Sequence, residues 1–176
     1  MIISCDKQKT AFVNTEKIVQ DYQEMNDARD KYTKMSEDIQ ASLQPKIDSY
    51  ETKMQMYQQT AQRMSNAERA QKEEEIMTLQ NQIRNEQQTK SRRLQEESQT
   101  AIDDIVKRVK DYIKEYGARE GYDYIYGQSE TSSGVLYGKE EYDVTEKILK
   151  ELNDKYTPSA TSTPAATTPA DTTATK

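Results

Sequence analysis

The stretch IDSYETKMQMYQQTAQRMSNAE, residues 47–68, decides the fold. Its apolar residues recur at alternating steps of three and four, which is the spacing of a coiled-coil seam. These seam positions are Ile47, Tyr50, Met54, Tyr57, Ala61 and Met64. Ser65 and Glu68 follow with the pattern of a helix capping box. The stretch therefore predicts a long helix, a tight turn near Ser65 and a second helix that returns along the first.

The residues on either side extend this hairpin in both directions. From residue 18 to residue 116 the chain has no glycine and only one proline, Pro45, which predicts a bend near residues 43–45. The seam runs back from residue 47 to Ile18 on the outgoing helix. On the returning helix it is apolar at Ile76, Leu79 and Ile83, poor from residue 87 to residue 98, and apolar again from residue 101 to residue 116. We expect the polar middle to hold weakly and to flex.

Two methionines lie outside the seam. Met56 falls between the seam positions Met54 and Tyr57, and Met77 lies beside Ile76. A turn at Ser65 would bring Met56 and Met77 to similar heights on the hairpin, both facing solvent. Methionine side chains adapt to varied partners, although single exposed apolar residues are also common on surfaces without a role. Candidate contacts for a bound protein are Met54, Met56, Tyr57 and Met77.

The glycine-containing region after the hairpin predicts a small β structure. Gly117 is expected to end the returning helix, and Tyr122, Tyr124 and Tyr126 alternate along one face of a strand. Residues 135–137 predict a second strand that closes a hairpin with the first. Asp143 and Glu146 have the spacing of a capping box before a short amphipathic helix that reaches about residue 156.

The residues before the hairpin predict one more strand. Phe12 and Val13 lie in a short apolar run, and Asn14 or Thr15 is the expected N-cap of the outgoing helix. Three short strands are marginal alone, so we predict that they associate with other copies of the chain. A tyrosine-rich face can also stack on a ligand, but packing is the stronger interpretation. Candidate interface residues are Phe12, Val13, Tyr122, Tyr124, Tyr126, Val135 and Tyr137.

Composition excludes several classes of protein. Apolar residues are 33% of the chain, with one Phe and no Trp, which is too little to fill a thick core. The net charge of −6 disfavours nucleic acid as a partner. The chain has no His and one Cys, so it lacks the usual general base, the common zinc ligands and any internal disulfide. We therefore predict no enzymatic activity, no metal and no cofactor.

The two ends of the chain carry weaker signals. An apolar pair, a serine and then Cys5 resemble a bacterial lipoprotein box, in which Cys5 would be acylated. Only four residues precede Cys5, fewer than a signal peptide needs, so the alternatives are a start further upstream or an incidental thiol. Residues 157–176 are rich in Thr, Pro, Ser and Ala and are predicted to be disordered.

Several segments together resemble the periplasmic chaperones of the Skp/OmpH type. They are AFVNTEKI at residues 11–18, the charged hairpin, GYDYI at residues 121–125, VLY at residues 135–137 and YDVTEKILKELN at residues 142–153. The resemblance implies a homotrimer with a central β body and helical arms around a cavity. It also implies that unfolded outer-membrane proteins are held there without ATP. The chain is acidic, whereas the best-known relative is strongly basic, and this difference puts in doubt the electrostatic capture of acidic clients and any binding to anionic lipid headgroups.

The resemblance completes a working description of the chain. We predict a mainly α fold, with an antiparallel coiled-coil hairpin on a small oligomerising β base. The expected localisation is the periplasm of a Gram-negative bacterium, with Cys5 as a candidate membrane anchor. The alternative is a structural spacer or adaptor of the cell envelope with one fixed partner. The predicted division is a tether at 1–10, a body at 11–33 and 101–156, an arm at 34–100 and a tail at 157–176.

Overall fold

The computed structural model describes residues 8–129 and 134–158, and most of them belong to a helical hairpin. The predicted fold class, mainly α with a small β region, is confirmed. The candidate Cys5 and nearly all of the tail lie outside the described residues. The regular elements, in chain order, are β1 (Thr10–Asn14), α1 (Thr15–Asp21), α2 (Gln23–Thr60), α3 (Asn66–Glu120), β2 (Tyr124–Gln128) and α4 (Thr145–Lys155).

Helices α2 and α3 form the predicted antiparallel hairpin. They contain 38 and 55 residues, so α3 is about 80 Å long at about 1.5 Å per residue. Pro45 lies inside α2 without ending it. At the tip, both hydrogen bonds of the Ser65–Glu68 capping box are present, as predicted. Arg69 fastens the turn by donating from Nη2 to the carbonyl oxygen of Ala61 at 3.0 Å.

The outgoing helix is interrupted near its start, which the sequence did not predict. Asn14 is the N-cap of α1 and accepts from the backbone N–H of Lys17. Tyr22 then adopts an extended conformation and separates α1 from α2. Its ring is buried against Tyr156, and the side chain of Asn153 accepts from the backbone N–H of Gln23 at 2.9 Å. Packing against residues far along the chain therefore stabilises the break.

Helix α3 extends past the glycine that was expected to end it. Gly117 is buried inside the helix, where an added Cβ would lie 3.3 Å from Cδ1 of Ile125. Helix α3 ends at Glu120, and Gly121 follows with a φ of 72°, a conformation that favours glycine. The prediction of a helix end at Gly117 was therefore wrong because that glycine permits close packing of β2.

The sheet has a topology different from the predicted hairpin. Strands β1 and β2 are parallel, with Thr10 opposite Tyr124 and Asn14 opposite Gln128. Residues 135–137 do not form a strand, so the predicted pairing of that segment with residues 122–126 was wrong. The long hairpin brings the chain back beside β1. Strand β1 therefore pairs with β2, in the position that was predicted for residues 135–137. On its other side, β1 contacts the segment before α4 through the Val144 N–H and the Phe12 carbonyl oxygen, 3.0 Å apart.

The core lies where α1, α4 and β1 meet the base of the hairpin, which is formed by the start of α2 and the last turns of α3. Helix α4 supplies the buried residues Ile148, Leu149 and Leu152 to this core. The predicted capping box at residues 143–146 is wrong, because Val144 occupies the N-cap position and makes no side-chain cap bond. Asp143 instead accepts from the backbone N–H of Thr145 at 2.8 Å, and Thr145 Oγ1 accepts from the N–H of Asn14. These polar contacts join α4 to β1.

Replacement of Gly138 by alanine is expected to destabilise the body by about 1–3 kcal/mol. An added Cβ would overlap Cε1 of Phe12 and would lie 2.7 Å from its Cδ1, in a ring that is buried in the core. Urea unfolding followed by circular dichroism would measure the loss. In a Phe12→Leu background, which removes the obstructing ring atoms, the same glycine replacement should cost much less. An equal cost in both backgrounds would show that the contact with Phe12 is not the cause.

Candidate functional site

In the half of the hairpin nearest the Ser65 turn, α2 and α3 pack against each other through the predicted apolar seam. From Ile18 in α1 through α2 to Met64 in the turn, the seam positions are buried or half-buried, and Ile76, Leu79 and Ile83 face the distal ones from α3. Polar contacts between the helices accompany this seam. Lys53 forms an ion pair with Glu75, and the Tyr57 hydroxyl donates to Glu73. The distal arm is thus a thin two-helix structure with one narrow apolar interface.

The middle of the arm has a different kind of contact. The predicted weak seam position Gln87 is exposed, and Glu86 points toward α2 instead. Glu86 forms an ion pair with Lys46 across the hairpin and with Lys90, at 2.8 Å, on its own helix. Lys90 Nζ also donates to Ser42 Oγ at 2.8 Å. We call Ser42, Lys46, Glu86 and Lys90 the Glu86 clasp.

The two methionines predicted to face solvent do so. Met56 is 61% exposed and Met77 is 57% exposed. Because Lys53 contacts Glu75 and Tyr57 contacts Glu73, Met56 lies roughly opposite Glu73, and Met77 lies about one helical turn nearer the body. Met54 and Tyr57 are half-buried in the seam, and the structure therefore separates the four candidate contacts into two exposed and two partly covered side chains.

The candidate interface residues also divide into buried and exposed sets. Phe12 and Val13 are buried within the chain's own body. Tyr122 stacks on Tyr116 at a centroid distance of 6.1 Å and is half-buried, as is Val135. The exposed set adds Leu136, which the sequence did not single out, to three predicted tyrosines. We call this set the aromatic patch: Tyr124, Tyr126, Leu136 and Tyr137.

The aromatic patch has two parts. Tyr124 and Tyr126 stack on each other on β2, with centroids 5.8 Å apart and ring planes 16° apart. Leu136 and Tyr137 lie in the segment before α4 and are 87% and 82% exposed. Within residues 8–129 and 134–158, no strand pairs with the outer edge of β2. Large apolar side chains beside an unpaired edge are typical of an interaction surface.

Two carboxyl groups of the hairpin, those of Glu75 and Glu86, form ion pairs that lower their pKa values. Hydrogen bonds from Lys53 and Lys72 lower the pKa of Glu75, and hydrogen bonds from Lys46 and Lys90 lower the pKa of Glu86 to about 2. A carboxyl group that acts as a general acid needs a raised pKa instead. In the part of the chain that is described, no cluster of His, Cys, Asp or Glu has a metal-binding arrangement. No described helix is long and apolar enough to span a membrane.

These features agree with a comparison to known families. A family described as outer membrane protein (OmpH-like) matches residues 9–152. The chain belongs to the OmpH-like family. The matched residues include β1, the whole hairpin, β2 and most of α4, so the family relation covers both the arm and the body of this OmpH-like protein.

A solved structure has the same fold as this OmpH-like chain. It is an OmpH-like protein from Caulobacter crescentus CB15 described as an outer membrane chaperone. The TM-score is 0.75 at 9% sequence identity, over 85% of this chain and 86% of the other. No curated protein matches the sequence. At such low identity the likeness establishes the architecture alone.

Proposed function

We propose that this protein is an ATP-independent holdase chaperone of the periplasm that binds unfolded outer-membrane proteins between the arms of a homotrimer. Membership in the OmpH-like family supports the class of function. The observation that carries the proposal is the arm itself. A hairpin whose shorter helix, α2, is about 57 Å long exposes Met56 and Met77 to solvent and, among the described residues, packs against the body only at its base.

The arm suits weak and distributed binding. Methionine side chains are flexible and polarisable, so the same pair can contact many apolar sequences. Concave regions along the described helices are open grooves rather than enclosed cavities, and charged and polar side chains dominate their lining. Such a surface suits an unfolded chain better than one small molecule. Release then needs no chemical step, because folding of the client removes the apolar segments that the arms contact.

The alternative is a structural spacer or adaptor of the cell envelope with one fixed partner. The Glu86 clasp favours the spacer, since its ion pair between the helices stiffens the part of the arm where the apolar seam is poor. A spacer would bind its one partner and leave unrelated unfolded proteins unaffected.

An aggregation assay distinguishes the two functions. A urea-denatured outer-membrane β-barrel protein is diluted into buffer with one chaperone trimer per client, and light scattering is recorded. We expect the natural chain to suppress the scattering. No suppression at this ratio would contradict the holdase function and favour the adaptor.

Replacement of both Met56 and Met77 by glutamine is expected to weaken client binding by about threefold to tenfold. Full burial of a methionine contributes about 1.5–3 kcal/mol, and contacts in a mobile complex recover only a part of this. Fluorescence titration with a labelled client would measure the change. The matched control replaces both residues by leucine, which keeps the apolar surface and the helix propensity. Equal binding by the glutamine and leucine variants would show that this pair does not contact clients.

A further inference from the structure

The Glu86 clasp lies where the apolar interface of the arm is poorest. From residue 87 to residue 98, Leu94 is the one apolar residue of α3, and it is half-buried. On α2 the same region contributes Leu43, which is buried, and Met35 and Ile39, which are half-buried. Both distally and toward the body, apolar residues from the two helices face each other more regularly. The clasp therefore adds charge attraction between the helices where α3 offers the fewest apolar side chains.

The geometry of the clasp makes it a contact between the helices. Glu86 receives Lys46 from α2 on one carboxylate oxygen and Lys90 from α3 on the other. Lys90 in turn donates to Ser42 on α2. One carboxylate thus organises two contacts across the hairpin. The ion pairs Arg92–Glu96 and Arg93–Glu97 begin about two turns beyond Glu86 on α3, and each remains within that single helix.

We propose that the Glu86 clasp is a salt-sensitive fastener that controls the separation and stiffness of the two helices at mid-arm. The Glu86 side chain is 26% exposed, and those of Lys46 and Lys90 are 45% and 36% exposed. Mobile ions reach charges at such exposed positions and screen their attraction. The distal arm also has an ion pair across the hairpin, Lys53–Glu75, but there a regular apolar seam that does not depend on charge accompanies it. Salt therefore loosens the middle of the arm more than its ends.

Salt acts on this contact where ordinary changes of pH do not. The lysines that donate to Glu86 lower its pKa to about 2, below its value in the unfolded chain. Its stabilising contribution is therefore present above the ordinary pKa of a carboxyl group and is lost only as the pH falls toward 2. Near neutral pH the Glu86 carboxylate is fully charged, so ionic strength rather than pH changes the strength of its ion pairs.

The consequence for binding rests on the proposed chaperone function. A loosened mid-arm lets the distal half, with Met56 and Met77, adopt more positions around a client. A tightened mid-arm restricts those positions. The fastener itself is a property of the free arm and is tested without any client, so failure of one proposal does not imply failure of the other.

Amide hydrogen exchange of the full chain tests the fastener. Exchange in residues 83–94 is compared at about 10 mM and about 1 M NaCl, between which the screening length falls from roughly 30 Å to roughly 3 Å. In the natural chain we expect exchange of this segment to be about threefold to tenfold faster at high salt. The amides of α4, in the body, are the internal reference and should change little.

Two variants and one control complete the test. Glu86→Gln and Lys46→Met each remove the ion pair across the hairpin, and each should exchange fast at low salt with little further response to salt. Glu96→Gln removes an ion pair within α3 and should behave as the natural chain does. Circular dichroism confirms that all the variants remain helical. A natural chain that shows no salt dependence, or a Glu86→Gln variant that follows the natural chain at both salt concentrations, would overturn the proposal.

Discussion

Replacement of Ile148 by alanine is expected to cost the protein about 2–5 kcal/mol of unfolding free energy, the range for a buried isoleucine that loses its side chain. Ile148 is 0% exposed and lies on the inner face of α4. Its neighbours in the core come from α1, β1 and the base of the hairpin, so the cavity would open where these elements meet. Alanine favours helix more than isoleucine does, and the loss would therefore come from packing.

The size of this effect follows from the buried apolar face of α4, because the polar contacts of this helix are individually weak. The helix has 11 residues, too few to be stable in isolation. Its polar contacts with the rest of the chain include the Arg119–Glu151 ion pair at 2.7 Å, in which both side chains are substantially exposed. Exposed ion pairs contribute up to about 1 kcal/mol. Burial of the apolar face of α4 is thus its main attachment to the body.

Chemical denaturation at one fixed protein concentration would measure this loss, because the stability of an oligomer depends on concentration. The matched control is Lys147→Ala, which alters the neighbouring exposed position of the same helix and should change stability by less than about 0.5 kcal/mol. If Ile148→Ala were as stable as the control, α4 would not be part of the cooperative core.

The arm could be predicted from the sequence because its interactions are local and repetitive. A seam of regular spacing and a capping box at Ser65 specify two helices and a turn without reference to any other part of the chain. The Glu86 clasp was missed because the heptad spacing selects Gln87, its neighbour. A signal was available, since Lys46 and Glu86 lie nearly the same number of residues from the Ser65 turn and carry opposite charges.

The body was harder to predict because its contacts join distant segments. The break at Tyr22 depends on Asn153, which accepts from the N–H of Gln23 at a separation of 130 residues. The parallel pairing of β1 with β2 requires that the whole hairpin lie between them. Residues 122–126 and 135–137 are close in sequence, so the pattern predicted that they pair with each other. In the structure β2 pairs with β1 instead. Of the interface candidates, Phe12 and Val13 are buried in the body, which strand alternation alone does not reveal.

Charge introduced into the aromatic patch is expected to separate the proposed trimer into single chains. The variant combines Tyr126→Glu on β2 with Tyr137→Glu in the segment before α4. Both tyrosines are exposed within one chain, at 48% and 82%, so their replacement should leave the fold of that chain intact. In an assembly the same positions would be covered, and each carboxylate would be placed in an apolar contact without a partner, at a cost of several kcal/mol.

The sheet supports this surface as the contact between copies. A two-stranded sheet is marginal alone, and a second copy could extend it along the outer edge of β2, to which no strand of the described residues is paired. Tyrosines such as Tyr124 and Tyr126 are enriched among the few interface residues whose truncation costs about 2 kcal/mol or more. In a closed ring of three copies the two substitutions act at every interface, so the loss is repeated three times.

Light scattering coupled to size-exclusion chromatography would measure the effect. The natural chain should elute at three times its chain mass of 20.4 kDa, and the double variant at that mass itself. Met56→Glu is the matched control, since it places the same charge at an exposed apolar residue of the arm and should leave the mass unchanged. A natural chain that elutes as a stable monomer would contradict the trimer and leave the holdase function without its cavity. A double variant that remains trimeric would instead assign the interface to another surface of the body.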